Sequence, residues 1–367
     1  MNKILIVADN QPFITKDGVT AALNSLINTF EDNLENLSII NSTNYNFYKY
    51  SNESIIIENK KLDIELTSQY NILVFSPISS YFNNKKIITK NHKVIIQLSD
   101  CLTYELWVSF RLSIKFKQIN LKKLLQIPFY YFQEKKAIKR ADLILLQTPK
   151  DVEITKKIFK TNKAISFPNI IDIKSHININ YNNSIGWCAS FTGEYLKLAN
   201  WFSKNILIPF LKENPNITIE FLGKYSDDFA KSLKTKNVII MNQINNSEYV
   251  ENISDFYSKH KVIITPVFKG YGLINKTVEA LLSGSLVLGD STSFNGIDVV
   301  HMKNCIISNT INEFKTSLNQ IFNIMTDVDI RNIRENAKKI YDSKKIFDDN
   351  KSKLNIFLSD TSRLNES

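Results

Sequence analysis

Cysteine is scarce in this chain: Cys101, Cys188 and Cys305 are the only three in 367 residues, far apart and odd in number. That excludes a disulfide framework and a structural zinc knot, and free thiols in a reducing cytosol are the simplest account. Histidine is nearly as sparse. His92, His176, His260 and His301 are scattered and form no HExxH pattern, so no zinc site is encoded. Long apolar runs are missing as well. Nothing approaches the ~20 residues of a transmembrane helix, and the short run ILIVA before Asp9 reads as a first strand rather than a signal peptide. There is no GxxxxGK[ST] loop for a P-loop ATPase and no GxSxG elbow for a hydrolase.

What is present is an ordinary globular composition, 43% hydrophobic, with a formal charge of +10. The length suggests two domains with a core each. Basic charge alone is only an electrostatic footprint, and no nucleic-acid module accompanies it, so nucleic acid is not expected as a partner.

The N-terminal half alternates strand-like and helix-like segments, as α/β units do. ILIVA at 4 to 8, NILVFS at 71 to 76, KVIIQLS at 93 to 99 and DLILLQT at 142 to 148 read as buried parallel strands, and residues 18 to 30 as the first helix. In an open parallel sheet the loops after the strand C-termini line the ligand crevice. Asp9, Asn10, Gln11, Gly18 and Asp100 are therefore candidates for the crevice of this half. Asp100, directly after a strand, is the leading candidate for an acceptor-side polar group or a base. Its other reading is an N-cap on the following helix.

A second α/β series begins at Ser184: the strand SIGWCAS, a long helix over about 195 to 212, then ITIEFLG at 217 to 223, NVIIM at 237 to 241 and KVIITP at 261 to 266. The asparagine-rich run 174 to 184 reads as the linker between the halves. Helices are expected at 311 to 325 and 329 to 343, with a polar tail from Ser359.

The segment PVFKGYGLINKTVEALLSGSLVLG, residues 266 to 289, carries the chemistry. Gly270 and Gly272 let the backbone turn and allow a ligand close to main-chain N–H groups. A helix opening near Leu273 offers unpaired N–H groups and a partial positive charge to an anion. Lys276 adds a full charge in the first turn, and Glu279, three positions on, shares its face. An ionised glutamate accepts only, so vicinal hydroxyls of a ribose or hexose would suit it. Gly284 stands where a helix C′ glycine belongs.

The pattern GxGxxxKxxEAxxxGxxVxG resembles the group 1 glycosyltransferases, glycosyltransferase family 4, which have two Rossmann-like doubly wound domains facing a central cleft. FPNIID at 167 to 172 is similar to the PNGVD segment closing that family's first domain, with Ile170 in place of glycine. The resemblance implies an acceptor-side domain at 1 to 175, a donor-binding domain at 176 to 340, and a C-terminal helix and tail at 341 to 367 that can cross back to the first domain. It also implies a donor site made of Gly270, Tyr271, Gly272, Asn275, Lys276 and Glu279, in which the lysine contacts phosphate and the glutamate the donor ribose. Ala189 and Ser190 would supply the small first loop of that domain, and Lys197 a basic contact. Asp9, Gln11 and Gly18 would fall on the acceptor side, and Lys276 and Asp100 would be the catalytic pair. Many members carry a further glutamate at the position of Tyr271, and tyrosine cannot replace its carboxylate. The implied activity is transfer, with retention and without metal, from a UDP- or GDP-sugar substrate to a glycan or lipid-linked acceptor, with no other cofactor. A nucleotide-sugar epimerase on the same scaffold, or a non-enzymatic basic membrane- or polyanion-binding protein, are the alternatives.

Two further segments need a reading. Asp327-Val328-Asp329 has the DxD spacing of a metal site in another fold, but it lies between late helices, where Asp329 suits an N-cap. Residues 109 to 140 interleave Arg111, Lys115, Lys117, Lys122 and Lys123 with Phe, Leu, Ile and Tyr. They read either as a peripheral contact with an anionic membrane face or as amphipathic helices with solvated lysines. The expected location is cytoplasmic, with the inner membrane face open to such a contact. The Asn, Ile and Lys bias suggests an AT-rich genome and a bacterial surface-glycan pathway.

Overall fold

The computed structural model describes residues 2–13, 18–51, 54–98, 100–115, 121–173, 181–247, 249–268 and 272–363. The chain divides into two compact units: Met1–Ile171 with Tyr271–Leu273 and Ser343–Ser367, and Asp172–Gly270 with Ile274–Asp342.

The first unit holds an eight-stranded sheet: β1 (Ile4–Ala8), β2 (Leu37–Asn41), β3 (Asn46–Ser51), β4 (Ser54–Asn59), β5 (Ile72–Ser76), β6 (Lys93–Leu98), β7 (Leu143–Leu146) and β8 (Ala164–Ser166), in the order β4-β3-β2-β1-β5-β6-β7-β8. All pairings are parallel except those of the β2-β3-β4 meander. Because side chains alternate across a strand, one apolar run feeds two cores. Leu5 and Val7 join Leu73, Phe75, Val94 and Ile96 on one face, while Ile4, Ile6 and Ala8 join Ile72, Val74 and Ile95 on the other. The second of these cores is covered by Leu23, Leu26 and Ile27 of the helix Gly18–Thr29, and by Leu354 and Leu358 of the helix Ser343–Arg363. That last helix is tied down further by Asn350, whose amide donates to the Pro168 carbonyl at 2.9 Å. The 359-onward tail read from its polarity is thus helical up to Arg363.

The second unit holds a six-stranded parallel sheet: β9 (Asn182–Cys188), β10 (Thr218–Leu222), β11 (Ile244–Ser247), β12 (His260–Thr265), β13 (Val287–Gly289) and β14 (Ile306–Ile307), ordered β11-β10-β9-β12-β13-β14. Its core centres on Trp187 of β9, fully buried and ringed by Phe191, Phe202, Phe221 and Phe229. The helix ending at Leu282 stops as the sequence indicates. Gly284 takes φ +72°, its N–H bonds to the Leu281 carbonyl and that of Ser285 to Ala280, the two bonds of a Schellman cap.

Several local expectations are corrected. NVIIM is not a strand: Val238–Gln243 is a 3-10 turn, and β11 follows it in register with β10. The Gln243 amide fixes the turn by donating to the carbonyls of Leu211, Asn214 and Ile217 at 3.0, 2.9 and 2.8 Å. The expected long helix is three pieces, Gly193–Phe202, a π turn Ser203–Leu207 and Ile208–Glu213. Pro209 has no N–H to give the preceding turn and its ring crowds it, which favours the wider π spacing there. Asp329 is not an N-cap. Thr326 is, with Asp329 closing a capping box from the third helical position. Of the linker 174 to 184, residues 174–180 lie outside the described residues and β9 already begins at Asn182.

Trp187→Ala would leave a cavity at the centre of the second core, with an expected cost of about 3–5 kcal/mol. Chemical denaturation followed by far-ultraviolet circular dichroism would show it; an unchanged midpoint would contradict the placement.

Candidate active site

In an open parallel sheet a ligand binds at the C-terminal strand ends where the strand order reverses. In the second unit that point lies between β9 and β12. The loop after β9 begins with Ala189, buried, whose N–H bonds to the Leu222 carbonyl at 2.9 Å. Ser190 beside it is exposed. Gly223, at φ +113°, lies under this loop, and a Cβ there would come 2.5 Å from the Ala189 carbonyl oxygen. Lys197 forms an exposed i,i+3 ion pair with Glu194 at 3.0 Å on the following helix.

The exit of β12 is shaped from beneath. Asp290, buried directly after β13, accepts the N–H groups of Val267 and Phe268 at 2.7 and 3.0 Å and the Ser293 hydroxyl at 2.8 Å. Tyr195 donates its hydroxyl to the Pro266 carbonyl at 3.1 Å. Gly270 and Tyr271, further along this loop, lie outside the described residues.

The helix Asn275–Leu282 opens two residues later than the sequence suggested. Its N-cap is Ile274, whose side chain has no oxygen to cap the first turn. Lys276 and Glu279 both stand half-buried on this helix. Tyr257, fully buried on the helix Ile253–Lys259, donates its hydroxyl to Glu279 Oε2 at 3.0 Å. Cys188, the last residue of β9, is buried, and Tyr257 and Lys276 both act on its thiol. Burial works against the Lys276 ammonium, but the Cys188 sulfur and the Glu279 carboxylate outweigh it and hold its pKa above the ordinary lysine value. Burial also pushes the Cys188 thiol up, with Lys276 and Tyr257 drawing it back. Burial likewise raises the Tyr257 phenol well above its usual value, which keeps it a hydrogen-bond donor to Glu279. The tyrosine occupies one of several acceptor sites on the carboxylate, leaving others for a ligand diol.

In the first unit the order reverses between β1 and β5. Asp9, just past β1, accepts the Ser42 hydroxyl on Oδ1 at 2.6 Å and the Ser79 hydroxyl on Oδ2 at 2.5 Å. Both oxygens are thus engaged, one with the loop after β2 and one with the start of the helix Ile78–Asn84 that follows β5. Gln11 is exposed, and Gly18 opens the first helix.

Asp100 does not cap the helix Leu102–Lys115. That end is held by Glu134, a fully buried carboxylate that accepts the N–H groups of Leu102 and Thr103 at 2.7 and 2.8 Å. Asp100 Oδ1 is buried with no hydrogen-bond partner among the described residues. Its pKa is pushed up to about 8, first by burial, then by Asp151 and Glu105. Gly272 groups with this unit, and its N–H donates to Asp151 Oδ1 at 3.4 Å. It has φ +72°, where a side chain is strained, and a Cβ there would also press on the Asp100 carboxyl.

Tyr257, Cys188, Asp290 and Glu134 were not singled out from the sequence. Asp290 was findable, since it follows a strand as Asp100 does. Tyr257 and Glu134 act on residues 22 and 31 or more positions away, and no local spacing marks them. Among the described residues no cluster of three or more His, Cys, Asp or Glu could hold a metal ion.

No protein-family profile matches the sequence. No curated protein matches it either. Solved structures do. The chain is similar over 97% of its length to all of HepE from Anabaena, solved with UDP and glucose, at 14% identity and a TM-score of 0.61. It is similar over its full length to sucrose-phosphate synthase from Thermosynechococcus elongatus, at 10% identity and a TM-score of 0.67. It also covers 66% of the pneumococcal O-GlcNAc transferase GtfA, solved with UDP and GlcNAc, with 87% of its own length, 14% identity and a TM-score of 0.58. The chain therefore has the two-Rossmann GT-B fold of these glycosyltransferases, and the resemblance read from residues 266 to 289 holds at the level of fold.

The Asp100 shift has a measurable sign. Its folded pKa of about 8 exceeds the unfolded value of about 4. The stability that Asp100 contributes is therefore fullest below pH 4 and is lost as pH rises through about 8. Asp100→Asn should gain more stability over the parent at pH 8 than at pH 5 in paired denaturant melts; an equal gain at both would overturn the assignment.

Proposed function

We propose that this chain is a glycosyltransferase that moves a sugar from a nucleotide diphosphate sugar, UDP- or GDP-linked, to a glycan or lipid-linked glycan acceptor. The observation that carries the reading is the pairing of Lys276 and Glu279 on the helix that follows β12, next to the strand-order reversal of the second sheet. One ligand class needs both a cation at an uncapped helix start and, one turn on, a carboxylate with acceptor capacity to spare. It is a nucleoside diphosphate, with its phosphates on the first and its ribose diol on the second. The bound UDP of HepE and GtfA favours uridine among the donor bases.

Breaking the bond between the anomeric carbon and the diphosphate puts growing negative charge on the leaving oxygens. Lys276, kept charged by its neighbours, and the N–H groups of the helix start stabilise that charge where it develops. Retention of configuration is taken from the resembled family. Asp100 is the acceptor-side group in this reading. Largely protonated at neutral pH, it suits donation of a hydrogen bond to an acceptor oxygen, and it can take a proton only as pH nears about 8.

Nucleotide binding and release with UDP-glucose, UDP-GlcNAc and GDP-sugars test the proposal. Lys276→Ala should lower turnover by about 10²–10³-fold. Glu279→Ala should weaken donor binding by about 10–100-fold and abolish discrimination between UDP and its 2′-deoxy form. Tyr257→Phe should raise the donor KM with kcat kept. Donor binding indifferent to both Lys276 and Glu279 would rule the site out.

A further inference from the structure

The transferase reading makes no use of one apolar exposed surface of the first unit. The helices Leu102–Lys115 and Leu121–Arg140 pack side by side. The second turns Glu134, Ala137 and Ile138 inward, and Glu134 ties it to the start of the first. Outward it presents Leu121, Leu125, Phe129 and Phe132, which are 63%, 78%, 60% and 61% exposed. Their spacing of four, four and three residues sets them along one helix face. Trp107 and Ile114 of the neighbouring helix are exposed too. Basic residues rim this stripe. Lys122 stands exposed at one end, Lys135, Lys136 and Lys139 at the other, and Arg111 on the neighbouring helix. Between Leu102 and Arg140 the sequence has nine lysines and arginines against two glutamates, one of them the buried Glu134, so most of the chain's formal +10 is concentrated here.

We infer that this helix pair is a docking face for an anionic bilayer surface, the stripe entering the headgroup layer and the lysines contacting lipid phosphates. The charge decides the occupant: an apolar stripe bordered by same-sign lysines repels a second copy of itself and complements a negatively charged leaflet. No helix among the described residues is long and apolar enough to cross a membrane, so the contact is peripheral. The inference rests on this surface and not on the transferase reading.

The test is co-sedimentation of the full chain with phosphatidylcholine vesicles that contain, or lack, about a third phosphatidylglycerol. Binding is expected to the anionic vesicles only. It should fall roughly tenfold or more in Leu125→Glu/Phe129→Glu, and roughly fivefold for each of Lys122→Glu and Lys136→Glu, and it should weaken with salt. These side chains point outward, so melting temperature and nucleotide binding should match the parent; Leu125→Ser serves if the double variant melts early. No binding, equal binding to neutral and anionic vesicles, or binding indifferent to all these variants would overturn the inference. So would a solution dimer that the double variant splits, which would make the face an interface between copies.

Discussion

A parallel sheet cannot close its own strand ends: each strand leaves through a loop, and where the order turns back, neighbouring strands send their crossovers to opposite faces and leave the ends between them uncovered. Both sheets of this protein are built around such a reversal, at β1 and β5 and at β9 and β12. Everything polar in the candidate site follows from what the chain does with those ends. In the first unit, Asp9 uses both carboxylate oxygens to gather the hydroxyls of Ser42 and Ser79. In the second, Asp290 gathers the N–H groups of Val267 and Phe268. Each carboxylate, Asp290 buried and Asp9 half-buried, helps turn a strand exit into a fixed platform.

Burial meets two different answers in the groups that do remain. Lys276 keeps its charge because the Cys188 sulfur and Glu279, one helical turn away, outweigh the cost of its burial. Asp100 has no such partner among its described neighbours. Its nearest charges, Asp151 and Glu105, repel it, and it gives up ionisation instead. One unit thus presents a permanent cation and the other a carboxylic acid that is neutral over most of the physiological range.

The strands β1, β5, β6, β7 and β12 were legible because strands buried on both faces appear as unbroken apolar runs, as ILIVA and KVIITP do, whereas β2, equally buried, was not read as a strand. The Schellman glycine Gly284 and the helix of Lys276 and Glu279 were legible for the same reason, since each is set by local spacing. What was not legible was set at long range. NVIIM has strand composition, yet the register of β10 and the anchoring of Gln243 assign the strand to the less apolar INNS. The meander β3-β4 escaped notice because β4 is exposed throughout and so lacks alternation. Tyr257 could be connected to Glu279 only once the helices on either side of β12, Ile253–Lys259 and Asn275–Leu282, were packed together.

The helix Ser343–Arg363 has a consequence in time as well as in space. Leu354 and Leu358 belong to the core of β1, β5 and β6, so the unit that begins at the first residues cannot fill its core until the last helix has been synthesised. The second unit draws only on residues between Asp172 and Asp342, and on a ribosome it can be complete first. One face of the N-terminal sheet therefore stays partly bare until the helix Ser343–Arg363 is made and docks on it.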